Sequence, residues 1–161
     1  MSLDYTNNSA INYNESITLY LKDICKPLFK NFGFTLFEYV KIFFDNTCLN
    51  ISTNQDWLVH NYTKCPMGTL LEEHLKLVPI GSTRYVLFGL REEELKNPML
   101  AEARRFDIWN GLNIYKRYQE ECECFLFAAH PNNTRVFDLY MNERVMLEKF
   151  IHYFKEKAEP F

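Results

Sequence analysis

The sequence predicts an α+β domain, an α-β-α sandwich with a central five-stranded antiparallel sheet. Three observations predict it. Five short runs rich in β-branched and aromatic residues are separated by turn residues. Amphipathic stretches with apolar residues at helical spacing open and close the chain. A helical excursion divides the strands into a first pair and a later group of three. The length of 161 residues fits one domain, and 47% hydrophobic with 16% aromatic content is ample for its core.

The opening residues are polar, and Asn12 with Glu15 reads as a capping box. Ile17, Leu21, Ile24, Leu28 and Phe32 then form one apolar stripe. Pro27 is expected to loosen the last turns and Gly33 to stop the helix. Thr35 to Phe44 is a strand with Phe37, Tyr39 and Phe43 on one face and Leu36, Val40, Ile42 and Phe44 on the other. Both faces are mostly apolar, which predicts a sheet covered on both sides. Asp45-Asn46 turns into a second strand, Cys48 to Ser52. Thr53-Asn54-Gln55 opens a helix carrying Trp57, Leu58 and Tyr62, which Cys65-Pro66-Met67-Gly68 breaks. A short helix over Thr69 to Lys76 follows, then a strand from Arg84 to Leu90.

Asn97-Pro98 marks a helix start, with Pro at the first helical position. That helix is expected to end at Trp109–Asn110, with Gly111 turning the corner into two strands joined at Gln119-Glu120-Glu121. After His130-Pro131-Asn132-Asn133, Asn133 caps a helix carrying Val136, Phe137 and Tyr140, with a final strand as the alternative. Asn142 opens the last helix, whose apolar face is Leu147, Phe150, Ile151 and Phe154. This order suits a PAS- or GAF-like sandwich. Residues 1–12 read as a disordered or tag-derived N-terminus and 13–158 as the single domain.

A net charge of −3 leaves no positive excess to track phosphates, so these residues are not expected to bind nucleic acid alone. Five cysteines without framework spacing and a polar N-terminus predict free thiols in the cytoplasm. No apolar run is long enough to span a bilayer.

Chemical motifs are sparse. Cys122-x-Cys124 puts two thiols on one strand face, but no second ligand pair accompanies them, so two buried small hydrophobes are expected in place of a metal site. The four His share no spacing, and no hydrolase elbow, phosphate loop or dinucleotide fingerprint is present. A Cys65 nucleophile with His60 or His74 has nothing to activate it. Glu92-Glu93-Glu94 and Arg104-Arg105 read as solvated faces. The expectation is a protein without catalytic residues, cofactor or metal.

The aromatic set carries the functional reading: Tyr39, Trp57, Tyr62, Phe88, Trp109, Tyr115 and Phe127. Core packing accounts for any one of these rings. Together, from helix and sheet, they suit a ligand pocket with a few directional donors.

Three segments, Trp57 to Tyr62, Tyr85 to Phe88 and Ala103 to Ile114, resemble the N-terminal ligand-sensing domain of LuxR-type transcriptional regulators. In that family a Trp-x-x-x-Tyr stretch, an Asp-Pro pair and a later Trp line the pocket for an acyl-homoserine lactone. Trp57 matches the first of these, and Ala103-Arg104…Gly111 matches the segment leading into the next strand. The ending Leu147-Glu148-Lys149-Phe150-Ile151 also resembles the closing helix of such domains. The departures are specific: Asn61 stands four residues after Trp57 with Tyr62 one later, Cys65-Pro66 replaces Asp-Pro, and Phe88 replaces the later Trp. Cys and Phe cannot make the family's hydrogen bonds to the lactone signal.

The resemblance implies a non-enzymatic sensor of a small apolar molecule. Trp57 would stack on or donate to it, Tyr39 and Tyr62 would offer hydroxyls, and Phe88, Trp109 and Phe127 would form walls. It further implies a homodimer through the first and last helices, and DNA binding through a C-terminal helix-turn-helix domain, with 159–161 starting the linker. The alternative is a ligand-free PAS-like dimerisation or protein-interaction module with a filled core.

Overall fold

The computed structural model describes residues 8–43, 48–64 and 78–158. The expected turn at Asp45-Asn46, the break at Cys65-Pro66-Met67-Gly68 and the short helix over 69–76 lie outside them. Helix α1 spans Asn8–Phe32, so it starts a turn ahead of the expected Asn12 cap and includes Pro27. Ile17, Leu21, Ile24 and Leu28 are buried along its inner stripe. Gly33 follows in the left-handed region at φ 75°, where it donates its N–H back to the Phe29 carbonyl and ends the helix.

The sheet contains β1 (Leu36–Phe43), β2 (Cys48–Ser52), β3 (Thr83–Phe88), β4 (Trp109–Arg117) and β5 (Glu121–Ala129). All pairings are antiparallel and the strand order is β2-β1-β5-β4-β3. Helices cover both faces, as the two-sided apolar pattern of β1 predicts. On one face Phe37, Tyr39, Ile51, Ile114, Phe125 and Phe127 pack against α1 and the two C-terminal helices. Those are α4 (Val136–Asn142) and α5 (Arg144–Ala158), and Tyr140, Leu147, Ile151 and Phe154 are their buried residues in this core. On the other face Leu36, Phe88 and Ala128 pack with Trp57 of α2 (Gln55–Lys64) and Ala103 of α3 (Pro98–Arg105). A single 3-10 turn, Glu92–Lys96, precedes α3.

The α3–β4 junction departs from expectation. The helix ends at Arg105, and Trp109 already belongs to the strand. Ile108 N–H donates to the Ala103 carbonyl and Asp107 N–H to that of Arg104, with Asp107 left-handed at φ 58°. This is a Schellman ending with Asp in the place usually held by Gly. Gly111 is therefore no corner but lies inside β4, directly across from Phe88 of β3. The irregularity sits one residue earlier. Asn110, at φ 42°, makes a bulge between Trp109 and Leu112. Its buried side-chain amide reaches the Pro131 and Asn133 carbonyls, both at 3.0 Å, and its own carbonyl accepts from the Tyr140 hydroxyl at 2.9 Å. The residues around 133–142 form the helical alternative, not the strand. Asn133 does not cap α4; its amide donates to the Gly33 carbonyl at 3.2 Å instead.

Asp107 offers a direct test of the helix ending. It is exposed, and its contact with His130 is a distant 3.8 Å. Asp107→Gly relieves the left-handed strain at the cost of a freer unfolded chain, so the variant is expected to gain about 0.5–1 kcal/mol. Thermal melting should rise by about 1–4 °C; a fall would contradict the left-handed geometry.

Candidate functional site

The face under α2 and α3 encloses a cavity of about 320 Å³. Alternation along the strands decides what floors it: Glu38 and Val40 from β1, Val86 and Phe88 from β3, Asn113 and Tyr115 from β4, and Cys124 and Leu126 from β5. Trp57, Met99, Leu100, Ala103 and Ile108 form the roof.

Local sequence positions each part of the roof. Asn54 caps α2 by accepting the Trp57 N–H at 3.0 Å, and the Ser52 hydroxyl oxygen accepts the Asn54 N–H at 3.1 Å. The turn from β2 into α2 therefore sets Trp57 down over β1. Asn97 caps α3 through the Met99 and Leu100 N–H groups, with Pro98 at the first helical position as expected. The roof is closed by rings and one charged contact. Trp57 meets Phe106 edge-on at 5.3 Å, the His60 ring lies 4.8 Å from Phe106, and His60 Nε2 sits 2.9 Å from Glu102 Oε2. His60 and the neighbouring Arg105 hold the Glu102 carboxyl below its usual range. Glu94 fixes the rim, its two oxygens accepting the Gly89 and Arg91 N–H groups.

Glu38 is the singular group of this site. It is only 7% exposed on the floor of the cavity. The Ser52 hydroxyl and the Trp57 indole N–H donate to its carboxylate, yet burial outweighs them and pushes the acid up to about 7. Oε1 has no hydrogen-bond partner among the described residues. A buried polar atom left without a partner costs about 1–3 kcal/mol. Two weaker polar groups sit nearby: the Cys124 thiol lies 3.7 Å from Asn113 Oδ1, and burial raises the thiol far above its ordinary range, so it is no nucleophile.

The aromatic set divides across the sheet. Trp57, Phe88 and Tyr115 come together at the cavity. Tyr39 and Phe127 lie on the opposite face and cannot reach it. Phe127 is fully buried between Phe34 and Phe37, and the Tyr39 hydroxyl donates to Glu123. Trp109 is buried at the start of β4 under the Arg104 guanidinium, 5.7 Å from the ring centre, and does not line the cavity. The Tyr62 side chain lies outside the described residues. Glu38 was missing from the expected set, although its register between Leu36 and Val40 puts an acid on a strand face read as apolar.

A second hollow of about 370 Å³ opens between β1, β2 and the end of α5, lined by Tyr39, Leu49, Glu123, Phe154 and Lys155 among others. Its central acid is fully engaged. Glu123 takes the Lys155 ammonium at 2.8 Å and the Tyr39 and Tyr118 hydroxyls, which hold its carboxyl below the usual range despite burial. This is a satisfied knot joining β5 to α5, with nothing left over for a ligand, so the cavity under Trp57 is the stronger candidate.

Cys122 and Cys124 are free and buried, as small hydrophobes would be. Among the described residues no cluster of three or more His, Cys, Asp or Glu is placed to hold a metal, and no helix is long and apolar enough to cross a membrane. No protein-family model matches the chain, and no curated protein sequence matches it either.

Proposed function

We propose that this chain is the signal-sensing domain of a LuxR-type transcriptional regulator, binding a small, largely apolar molecule between the sheet and the α2–α3 roof. The observation that carries the reading is a cavity of about 320 Å³, walled by Trp57, Phe88 and Tyr115, with the unmatched Glu38 oxygen on its floor. Its volume falls in the range of small-molecule sites, which are mostly apolar with a few placed polar groups. The resemblance of the Trp57 and Ala103–Gly111 segments to that family supports the same location for the signal. The departures at Cys65 and Phe88 argue for a signal other than an acyl-homoserine lactone. Binding would act by favouring one arrangement of a dimer and its attached DNA-binding domain. Leu19 and Tyr20 of α1 and Tyr153 of α5 offer exposed apolar surface for that pairing, with α1 and α5 joined by the Tyr20 hydroxyl on the Lys157 carbonyl.

The test uses N-phenyl-1-naphthylamine, a neutral dye that brightens in apolar surroundings, in a Trp109→Phe background that leaves Trp57 as the energy donor. Saturable brightening with energy transfer from Trp57 is expected, together with a melting temperature about 5–10 °C higher at a hundredfold excess over Kd. Leu100→Phe, which fills the roof, is expected to weaken the dye at least tenfold. Non-saturable brightening, indifferent to Leu100→Phe, would leave the interaction-module reading in its place.

A further inference from the structure

We propose that the cavity selects a cation: a small amine carrying an apolar aryl or alkyl body, its ammonium group seated on Glu38. The inference rests on the reading of the cavity as a binding site and goes on to name the ligand class. Three observations converge on it.

First, the unmatched atom is an acceptor. Glu38 lines the cavity, and its buried Oε1 has no hydrogen-bond partner among the described residues. An occupant with an N–H group aimed there removes the only cost the floor imposes. Second, the charged side chains that line the cavity have one sign. The described lining holds two carboxylates, Glu38 and Glu94, and no Lys, Arg or His. A carboxylate or phosphate ligand would meet a buried acid with no basic side chain in that lining, whereas an ammonium supplies both the missing donor and the missing charge. Third, the walls are aromatic. Trp57, Phe88 and Tyr115 suit the apolar body of such an amine, and aromatic rings are favourable neighbours for a cation. Glu38 is held for this role by the backbone, since it pairs directly with Ser52 across β1–β2 and with Leu126 across β1–β5. Trp57 both donates to the acid and covers it, so roof and floor are tied at the place where the ligand head would sit.

Three phenyl probes of similar size with different head groups test this by displacement of the naphthylamine dye: 2-phenylethylamine, 2-phenylethanol and phenylacetate. The amine is expected to displace dye at least tenfold better than the alcohol, and phenylacetate not at all. Glu38→Gln is expected to keep dye affinity but lose about ten- to a hundredfold in affinity for the amine, the scale of one charge-assisted hydrogen bond. A cooperative melt of the variant establishes that it is folded. Equal displacement by amine and alcohol, or an amine affinity unchanged in Glu38→Gln, overturns the cation assignment and leaves the cavity reading standing. Dye that binds saturably but yields to none of the three probes does the same. A protein that fails to take up the dye at all overturns both.

Discussion

At about pH 8 the Glu38→Gln variant is expected to melt about 3–6 °C above the parent protein, and at about pH 4, where only the penalty of its unmatched amide remains, about 3–6 °C below it. The sign follows from which state holds the proton. Burial raises the folded acid to about 7 from an ordinary value of 4.5. Between those values the folded protein binds the proton more tightly than the unfolded chain, so the acid's contribution to stability falls as pH rises through the window. Below the window both states are protonated and nothing is lost. Above it the full difference of about 3 kcal/mol is spent on burying a charge. Glutamine keeps the acceptor for Ser52 and Trp57 and carries no charge, but it turns an unmatched amide N–H₂ into the cavity, at about 1–2 kcal/mol. The net gain is therefore about 1–2 kcal/mol. Glu102, Glu123 and Glu148 have carboxyls held below their usual range, so they stabilise above the ordinary carboxylate range and lose that support as pH falls. They do so equally in both proteins and cancel in the difference. A variant less stable than the parent at about pH 8 would mean that Glu38 is fully paired.

Gly111→Ala is expected to lower stability by about 1–3 kcal/mol and melting by about 2–12 °C. A methyl group there would overlap the tip of the Phe88 ring, which lies over the glycine. Phe88 can yield only by tilting into the hollow it walls, because β3 and β4 pair at these two residues and the ring is otherwise packed in its cluster. Backbone conformation is not the cause, since Gly111 does not have a positive φ. The origin is tested by a cycle with Phe88→Ala. Alone that change costs about 3–5 kcal/mol through lost packing, and the double variant should be no worse than Phe88→Ala itself. Additive losses would place the defect elsewhere.

The strands and helices were largely legible because side-chain period is set locally. The Phe37/Tyr39 and Leu36/Val40 alternation in β1 announced two covered faces, and two are covered. What misled was the identity of the residues that take left-handed backbone. Gly111 carries the expected chemistry for a corner, yet Asp107 and Asn110 do that work, and glycine is present for lack of room beside Phe88. The aromatic set was a composition argument, and composition does not say which side of a sheet a ring faces. The pattern already put Tyr39 with Phe37; what it lacked was where the Trp57 helix would come down. That depends on the Ser52–Asn54 hydrogen bonds at the end of β2, which span too few residues to leave a periodic trace. Glu38 is a lone acid in an apolar strand and reads as an interruption of it; its weight comes from burial, which no residue spacing encodes.

The bulge in β4 links the two sides of the molecule. Phe88, a wall of the hollow, rests on Gly111, and the adjoining Asn110 carbonyl is the handle held by Tyr140 in the helical layer across the sheet. The wall of the hollow and the helical layer on the opposite side of the sheet therefore meet at a single peptide unit, Asn110–Gly111.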